Sequence, residues 1–258
     1  MHPRLLQFGH IAIPTYGALT ALALVAGLAA AVHFARRLSL DPNRIWSLCL
    51  IGILTTLIGA RLLLVLTYFS AFRQHPVWVL GLTNIQSPWI LGLSLLAGFG
   101  AAMLYALAEG LPLLPVLDCL APSAAAAIGI NRAGAFVAGL DYGTPTALPW
   151  SVAYTSRIAA LWYQTPLGVR LHPVQLYDAA ASLLILALLV WWLSRRSQPG
   201  EVVGAWLFLY GFSSFFLRFF RAGSGTLSLA QPVAAVAVIA GGALWARRKS
   251  REQISTRA

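Results

Sequence analysis

The chain has 258 residues, 59% of them hydrophobic and only 10% charged, with a mean hydropathy of +0.76. Soluble domains carry about 25% charged residues, so this balance excludes a cytosolic enzyme, a disordered regulator and a secreted disulfide scaffold. The formal net charge of +11 does not indicate nucleic acid, because the basic residues sit in short runs beside apolar segments, where anionic lipid headgroups are their natural partners.

Crossing a bilayer takes about 20 apolar residues. Runs of that kind fall at residues 10–33, 46–69, 88–108, 113–139, 173–194, 202–220 and 226–246. The expected fold class is an all-α membrane protein with seven transmembrane helices, one polytopic membrane domain over residues 1–258. The first run ends in Ala29-Ala30-Ala31, like a cleaved signal peptide, but the basic pair Arg36-Arg37 behind it opposes export, so it is read as a retained helix. Cys49 and Cys119 lie inside apolar runs with no metal-ligand or redox spacing and are read as inert buried thiols.

If all seven runs cross, Arg36, Arg37, Arg44, Arg195, Arg196, Arg247, Arg248, Lys249, Arg251 and Arg257 share one side. Arg4, Arg73, Arg157, Arg170 and Arg221 fall on the other. That bias puts the N-terminus outside and the C-terminus in the cytoplasm. The longest connection, residues 140–172, is then an outer-face loop region, with Trp150, Tyr154, Trp162 and Tyr163 as interfacial aromatics. A second outer loop, residues 70–87, carries Arg73, His75, Pro76 and Trp78. Chemistry is expected at the outer face.

A charge at the bilayer centre costs about 2.5–3.5 kcal/mol on insertion scales, so charged residues within spans need a reason. Arg132 lies among Gly134, Ala135, Ala138 and Gly139, residues small enough for a helix or a lipid headgroup to come close to the backbone. Its guanidinium suits either a phosphodiester, through paired hydrogen bonds, or an acid or carbonyl across the bundle. Asp141, at the outer end of the same run, can offset it. Arg61 sits in the outer half of the second run, and Arg218 and Arg221 are three apart near the outer end of the sixth, an arrangement that suits a cationic pocket for a lipid phosphate.

Pro173 fits the first position of a helix. His172 then precedes the helix, and Gln175 and Asp178 share one face. The histidine is either a general base, its ordinary pKa being near neutrality, or a cap. Tyr16 is an interfacial anchor or a substrate hydrogen-bond partner. Asp118 neutralises a basic partner or satisfies backbone freed by Pro122.

Taken in order, these residues resemble the bacterial prolipoprotein diacylglyceryl transferases. Tyr16-Gly17, Gly59-Ala60-Arg61, Asp118-Cys119-Leu120-Ala121-Pro122, Arg132-Ala133-Gly134-Ala135-Phe136 through Gly139 and Gly143, His172-Pro173-Val174-Gln175-Leu176-Tyr177-Asp178, and Tyr210-Gly211 with Phe219-Phe220-Arg221 are similar to the family's motifs. The resemblance implies transfer of a diacylglyceryl group from phosphatidylglycerol to a lipobox cysteine thiol, releasing glycerol phosphate, in the bacterial inner membrane. The expected partners are phosphatidylglycerol, the prolipoprotein lipobox segment and membrane lipid, with no nucleic acid, metal or organic cofactor. Arg132, His172 and Tyr16 become the catalytic candidates. Arg61, Gly139, Gln175, Tyr177, Arg218 and Arg221 become the substrate-binding ones.

Several family positions differ. The histidine motif at the start of the third helix is replaced by Trp89-Ile90-Leu91-Gly92-Leu93-Ser94. The signature's two asparagines and following glutamate fall at Ala135, Ala138 and Leu140. The sixth-helix arginine falls at Ser214, and an acid one turn later at Arg218. These replacements keep open a same-fold paralogue with altered substrate or no catalysis, and a transporter is the third class considered.

Overall fold

In the computed structural model, which describes residues 2–8, 11–74, 87–223 and 230–255, the apolar runs fold into helices within a few residues of the expected limits. Six are long and apolar enough to cross a membrane: α1 (Thr15–Arg37), α2 (Pro42–Thr67), α4 (Pro88–Ala108), α5 (Leu113–Ala138), α7 (Val174–Leu193) and α8 (Glu201–Leu217, prolonged by a 3-10 turn, Arg218–Phe220). The run expected as a seventh span is helix α9 (Ala230–Ser255), whose described apolar stretch, Gln231–Leu244, is shorter than the other six. Short helices α3 (Phe69–Gln74) and α6 (Arg157–Tyr163) lie in the two longer connections. His75, Pro76, Trp78 and Arg257 lie outside the described residues.

The fold is mostly helical, but four short strands interrupt the all-α expectation. Residues 11–14 do not belong to the first helix. Strands β1 (Arg4–Phe8) and β2 (Ile11–Pro14) pair antiparallel, with Leu6 opposite Ile13 and Phe8 opposite Ile11. An apolar run long enough for a span conceals such a hairpin, because hydropathy alone does not separate a strand from a helix. The hairpin is pinned where α1 begins: Thr15 N–H donates to Pro3 O at 2.9 Å, and His2 N–H donates to Val137 O at 3.2 Å. Strands β3 (Val152–Ala153) and β4 (Arg170–Leu171) pair within the region read as an outer loop.

Two compact units form, Met1–Phe34 with Leu117–Ala258, and Ala35–Val116. In the second unit α2 packs on α4. A Cβ on Gly98 would collide with the Thr56 side chain and the Gly52 carbonyl, so this pair approaches as closely as it does because residue 98 has no side chain. In the first unit α8 packs on α7 and α9, while α1 meets α5 through Asn131 Nδ2 donating to Thr20 Oγ1 at 2.9 Å. Cys119 is buried there with its thiol on Ala31 O at 3.2 Å, consistent with an inert role.

Asp118 neutralises a basic partner, as one of its two readings has it, but the backbone it satisfies belongs to α8 and not to the turn that Pro122 frees. Its fully buried carboxylate pairs with Arg196 and accepts the backbone N–H groups of Gly200 (2.8 Å) and Val203 (2.9 Å). These are orphan donors at the start of α8, so a side chain from α5 supplies the N-terminal cap that Gly200 lacks. Glu201 reinforces the turn by accepting from Ser197 Oγ (2.8 Å), Gln198 N–H (2.9 Å) and Trp192 Nε1 (3.2 Å). Removing one partner of a buried ion pair destabilises by about 3–5 kcal/mol. Asp118→Ala should therefore unfold at clearly lower SDS mole fraction than the parent, read by loss of helical circular dichroism in mixed micelles.

Candidate functional site

The C-terminal end of α5, the N-terminal end of α7 and the C-terminal end of α8 meet in the first unit. Helix α5 stops at Gly139, whose φ of +86° suits a residue without a Cβ. Gly139 and Leu140 both return their N–H groups to Ala135 O at 2.9 Å. A Cβ at residue 139 would press on Ala159 and the Tyr154 ring at 3.1–3.2 Å. Gly139 is thus explained by helix termination and packing. The chain then runs as a central strand through residues 142–146. On one side Gly143 bridges Arg221, with Thr144 N–H donating to Phe220 O (2.8 Å) and Ala222 N–H to Tyr142 O (3.1 Å). On the other, His172 N–H donates to Thr144 O (3.0 Å) and Thr146 N–H to Arg170 O (2.9 Å). Backbone pairing therefore fixes Arg221 and His172 on opposite edges of one segment.

Gln175 and Asp178 share the buried face of α7, as their spacing requires. Gln175 Nε2 donates to Leu140 O at 2.7 Å and to the Tyr154 hydroxyl at 2.9 Å, tying the first turn of α7 to the exit from α5. Asp178, one turn on, has a side chain only 5% exposed. Its Oδ2 lies 2.8 Å from Arg132 Nε, a close ion pair rather than an aligned hydrogen bond, and 3.5 Å from Arg221 Nη2. Arg132 Nη1 donates to Asp141 Oδ2 at 2.8 Å, and the Tyr210 hydroxyl bonds the same guanidinium. Burial and then the neighbouring Arg132 charge lower the Arg221 pKa, Asp141 and Asp178 act to raise it, and Arg218 lowers it further. Arg132 and Arg221, from two helix ends, thus face two carboxylates, with Arg218 near enough to act on Arg221.

His172 is packed between aromatic rings, 5.2 Å from Phe220 and 6.3 Å from Tyr177, centroid to centroid. Its Nδ1 is buried and, among the described groups, has no hydrogen-bond partner. Tyr177 is itself held, its hydroxyl accepting from Trp150 Nε1 at 2.7 Å.

The structure brings Arg132, Arg221 and Arg218 into one charged cluster and sets His172 on the strand beside it. Gly139, Gln175 and Tyr177 belong to the turns around that cluster, whereas Tyr16 and Arg61 are seen in other contacts. Tyr16 lies near Tyr163, whose pKa is raised by burial and by the Tyr16 phenol. Arg61 belongs to the second unit, its guanidinium over the Phe72 ring at 5.7 Å. Three local readings need correction. Pro173 is the residue before α7 rather than its first residue. Arg218 and Arg221 do not share an α-helical face, because α8 ends at Leu217 and Arg221 is extended beyond the 3-10 turn. Tyr154 is not an interfacial aromatic: it is fully buried, and burial pushes its pKa up, partly offset by the bond from Gln175. Asp178 was legible only as a neighbour of Gln175, yet it is the acid on which Arg132 and Arg221 converge. Where the resemblance places asparagines, Ala135 and Ala138 are fully buried among helices. Among the described residues no group of three or more histidine, cysteine or acidic side chains is placed to hold a metal.

Six membrane-length helices, with an arginine–aspartate cluster where α5, α7 and α8 meet, define a helical membrane protein. Residues 3–247 match the family described as prolipoprotein diacylglyceryl transferase, and the chain belongs to that family. Curated proteins called phosphatidylglycerol–prolipoprotein diacylglyceryl transferase are similar to it. That of Clostridium tetani is 26% identical over 221 residues, 86% of either chain. That of Synechococcus elongatus is 29% identical over 94% of this chain and 86% of its own. That of Ruegeria pomeroyi is 32% identical over 78% of this chain and 69% of its own.

The central strand has no room for a side chain at residue 143, where a Cβ would sit 2.7 Å from both His172 Cβ and Val174 Cγ2. Gly143→Ala should open the pairing. Amide hydrogen exchange at Thr144, His172 and Ala222 should then rise at least about tenfold, while exchange within α5 stays unchanged.

Proposed function

We propose that this chain moves the diacylglyceryl group of phosphatidylglycerol onto the cysteine thiol of a prolipoprotein lipobox, forming a thioether and releasing glycerol phosphate. It does so as one polytopic domain of the bacterial inner membrane, with α9 as a seventh span, the N-terminus outside, the C-terminus in the cytoplasm and the reacting face outward. The asymmetry of basic residues supports that orientation. The observation that carries the chemistry is the convergence of Arg132 and Arg221 on Asp178 in a chain of this family.

The thiol sulfur attacks the glyceryl carbon esterified to phosphate, and the bond from that carbon to oxygen breaks. Its electron pair goes to the phosphate, which gains a negative charge. Arg132, with Arg221 and Arg218, faces that charge from a largely desolvated site, where positioned donors are worth most. Asp178 keeps two like-charged guanidinium groups close enough to act on one phosphate. His172 accepts the thiol proton, its Nδ1 being uncommitted among the described residues. This role supplies a base where the family's third-helix histidine is absent. Gln175 and Tyr177 hold the frame of the site, and Tyr16 bounds the path by which substrate reaches it.

The test is mass spectrometry of a lipobox peptide incubated with purified protein and phosphatidylglycerol. The parent should yield a diacylglyceryl thioether on cysteine. Arg132→Ala should abolish the adduct, and Arg132→Lys should lose at least about tenfold, because an ammonium lacks the planar fork. His172→Gln should reduce turnover by about 100-fold or more, the usual size of a general-base contribution. A parent protein that is folded but yields no adduct would favour the paralogue reading, which the alanines at residues 135 and 138 motivate.

A further inference from the structure

Two carboxylates occupy the Arg132 guanidinium at the same 2.8 Å distance, but they are not equivalent. The Asp178 side chain is 5% exposed, whereas that of Asp141 is 39% exposed. Asp178 projects from a helix whose first turn Gln175 fastens in place. Asp141 sits on the short link between the Gly139 stop and the central strand, with a φ of +58°. A non-glycine residue in that region is held there by its surroundings. Asp141 pairs with Arg132, while Asp178 lies against both arginines, so withdrawing Asp141 frees one edge of Arg132 and leaves the Arg132–Asp178–Arg221 contact in place.

We propose that Asp141 is a built-in stand-in for phosphate, holding the outer edge of Arg132 in the unloaded protein and leaving it when a phosphate ester arrives. The inference rests on the reading above that the substrate is a phospholipid. Carboxylate and phosphate oxygens make the same paired contacts to a guanidinium, so one replaces the other without moving Arg132. The charges agree with the reaction. Arg132, Arg218 and Arg221 against Asp141 and Asp178 leave the unloaded site one net positive charge, which draws in a phosphodiester. Cleavage of the carbon–oxygen bond turns the diester into a monoester carrying up to two negative charges, with a second pKa of about 6. With Asp141 withdrawn the site offers two net positive charges, so it matches the leaving group better than the substrate, the condition for accelerating the step.

The test is titration calorimetry in dodecyl maltoside, a phosphate-free detergent, with two ligands: phosphatidylglycerol in the micelle and free glycerol phosphate. Asp141→Asn keeps an oxygen acceptor and tolerates the left-handed backbone, but it removes the competing charge. It should bind glycerol phosphate about tenfold tighter than the parent, and phosphatidylglycerol tighter by a smaller factor. Asp141→Glu, which restores the charge, should bind both ligands nearly as the parent does. Unchanged or weaker binding by Asp141→Asn, tightening confined to glycerol phosphate, or failure of the parent to bind phosphatidylglycerol would each overturn the proposal. Thioether formation on the same samples separates the two readings. A parent that transfers the lipid while Asp141→Asn shows no tightening sinks the stand-in alone. Tightening of both ligands in a protein that makes no thioether upholds the stand-in and sinks the transferase reading.

Discussion

Two guanidinium groups drawn out of water repel each other, and each loses hydration that nothing apolar replaces. Arg132 and Arg221 come from the end of α5 and the far side of α8, and the anion between them is the Asp178 carboxylate on α7. Without it the two arginines would part, and the three helix ends would have no common polar partner. The rest of the site is arranged around that contact. Gln175 fixes the turn that carries Asp178, and the central strand fixes Arg221 by pairing it with Gly143. The Gly139 stop turns the chain so that this strand begins where α5 ends.

Pairing of this kind trades stability for reactivity. A buried charge network is seldom the most stable filling of its space, and the helix ends would close more tightly over leucines. What the network provides is a fixed electrostatic field where α5, α7 and α8 meet, and in the mechanism proposed above it acts where the phosphate gains charge, with little reorganisation left to do. His172, the proposed proton acceptor, has its ring held by aromatic neighbours and its backbone held by Thr144. The hydrophobic bulk of the chain positions these few groups and keeps water from diluting their effect.

Much of the helical architecture is readable from the sequence, because an apolar run long enough to cross a bilayer has few other outcomes. The spacing of Gln175 and Asp178 likewise announced a shared face, and Asp141 an offset for Arg132. Other features left no local trace. The strand Ile11–Pro14 was absorbed into the first apolar run, since its residues are as hydrophobic as a helix, and its partner Arg4–Phe8 lies ahead of that run. The pairing of residues 142–146 with segments around His172 and Arg221 is made by backbone atoms, which no side-chain pattern encodes. Tyr154 resembled an interfacial aromatic by composition and position, and only the tertiary partner Gln175 reveals it as a core residue. Asp178 was underestimated for the same reason: its importance lies in two arginines distant in the chain.

Helix α5 is anchored near both ends by charge. Asp118 is locked to Arg196 and to the start of α8, and Arg132 is locked to Asp178. Fourteen residues separate them, about 21 Å of helix at 1.5 Å per residue. A rod tethered at both ends by buried ions can neither slide along its axis nor roll about it without stripping a charge of its partner. The Asp118 anchor therefore acts as a depth stop for the distant arginine. It sets the height of the guanidinium along the helix axis relative to the start of α8, and, in the proposed reaction, which part of a lipid molecule reaches it.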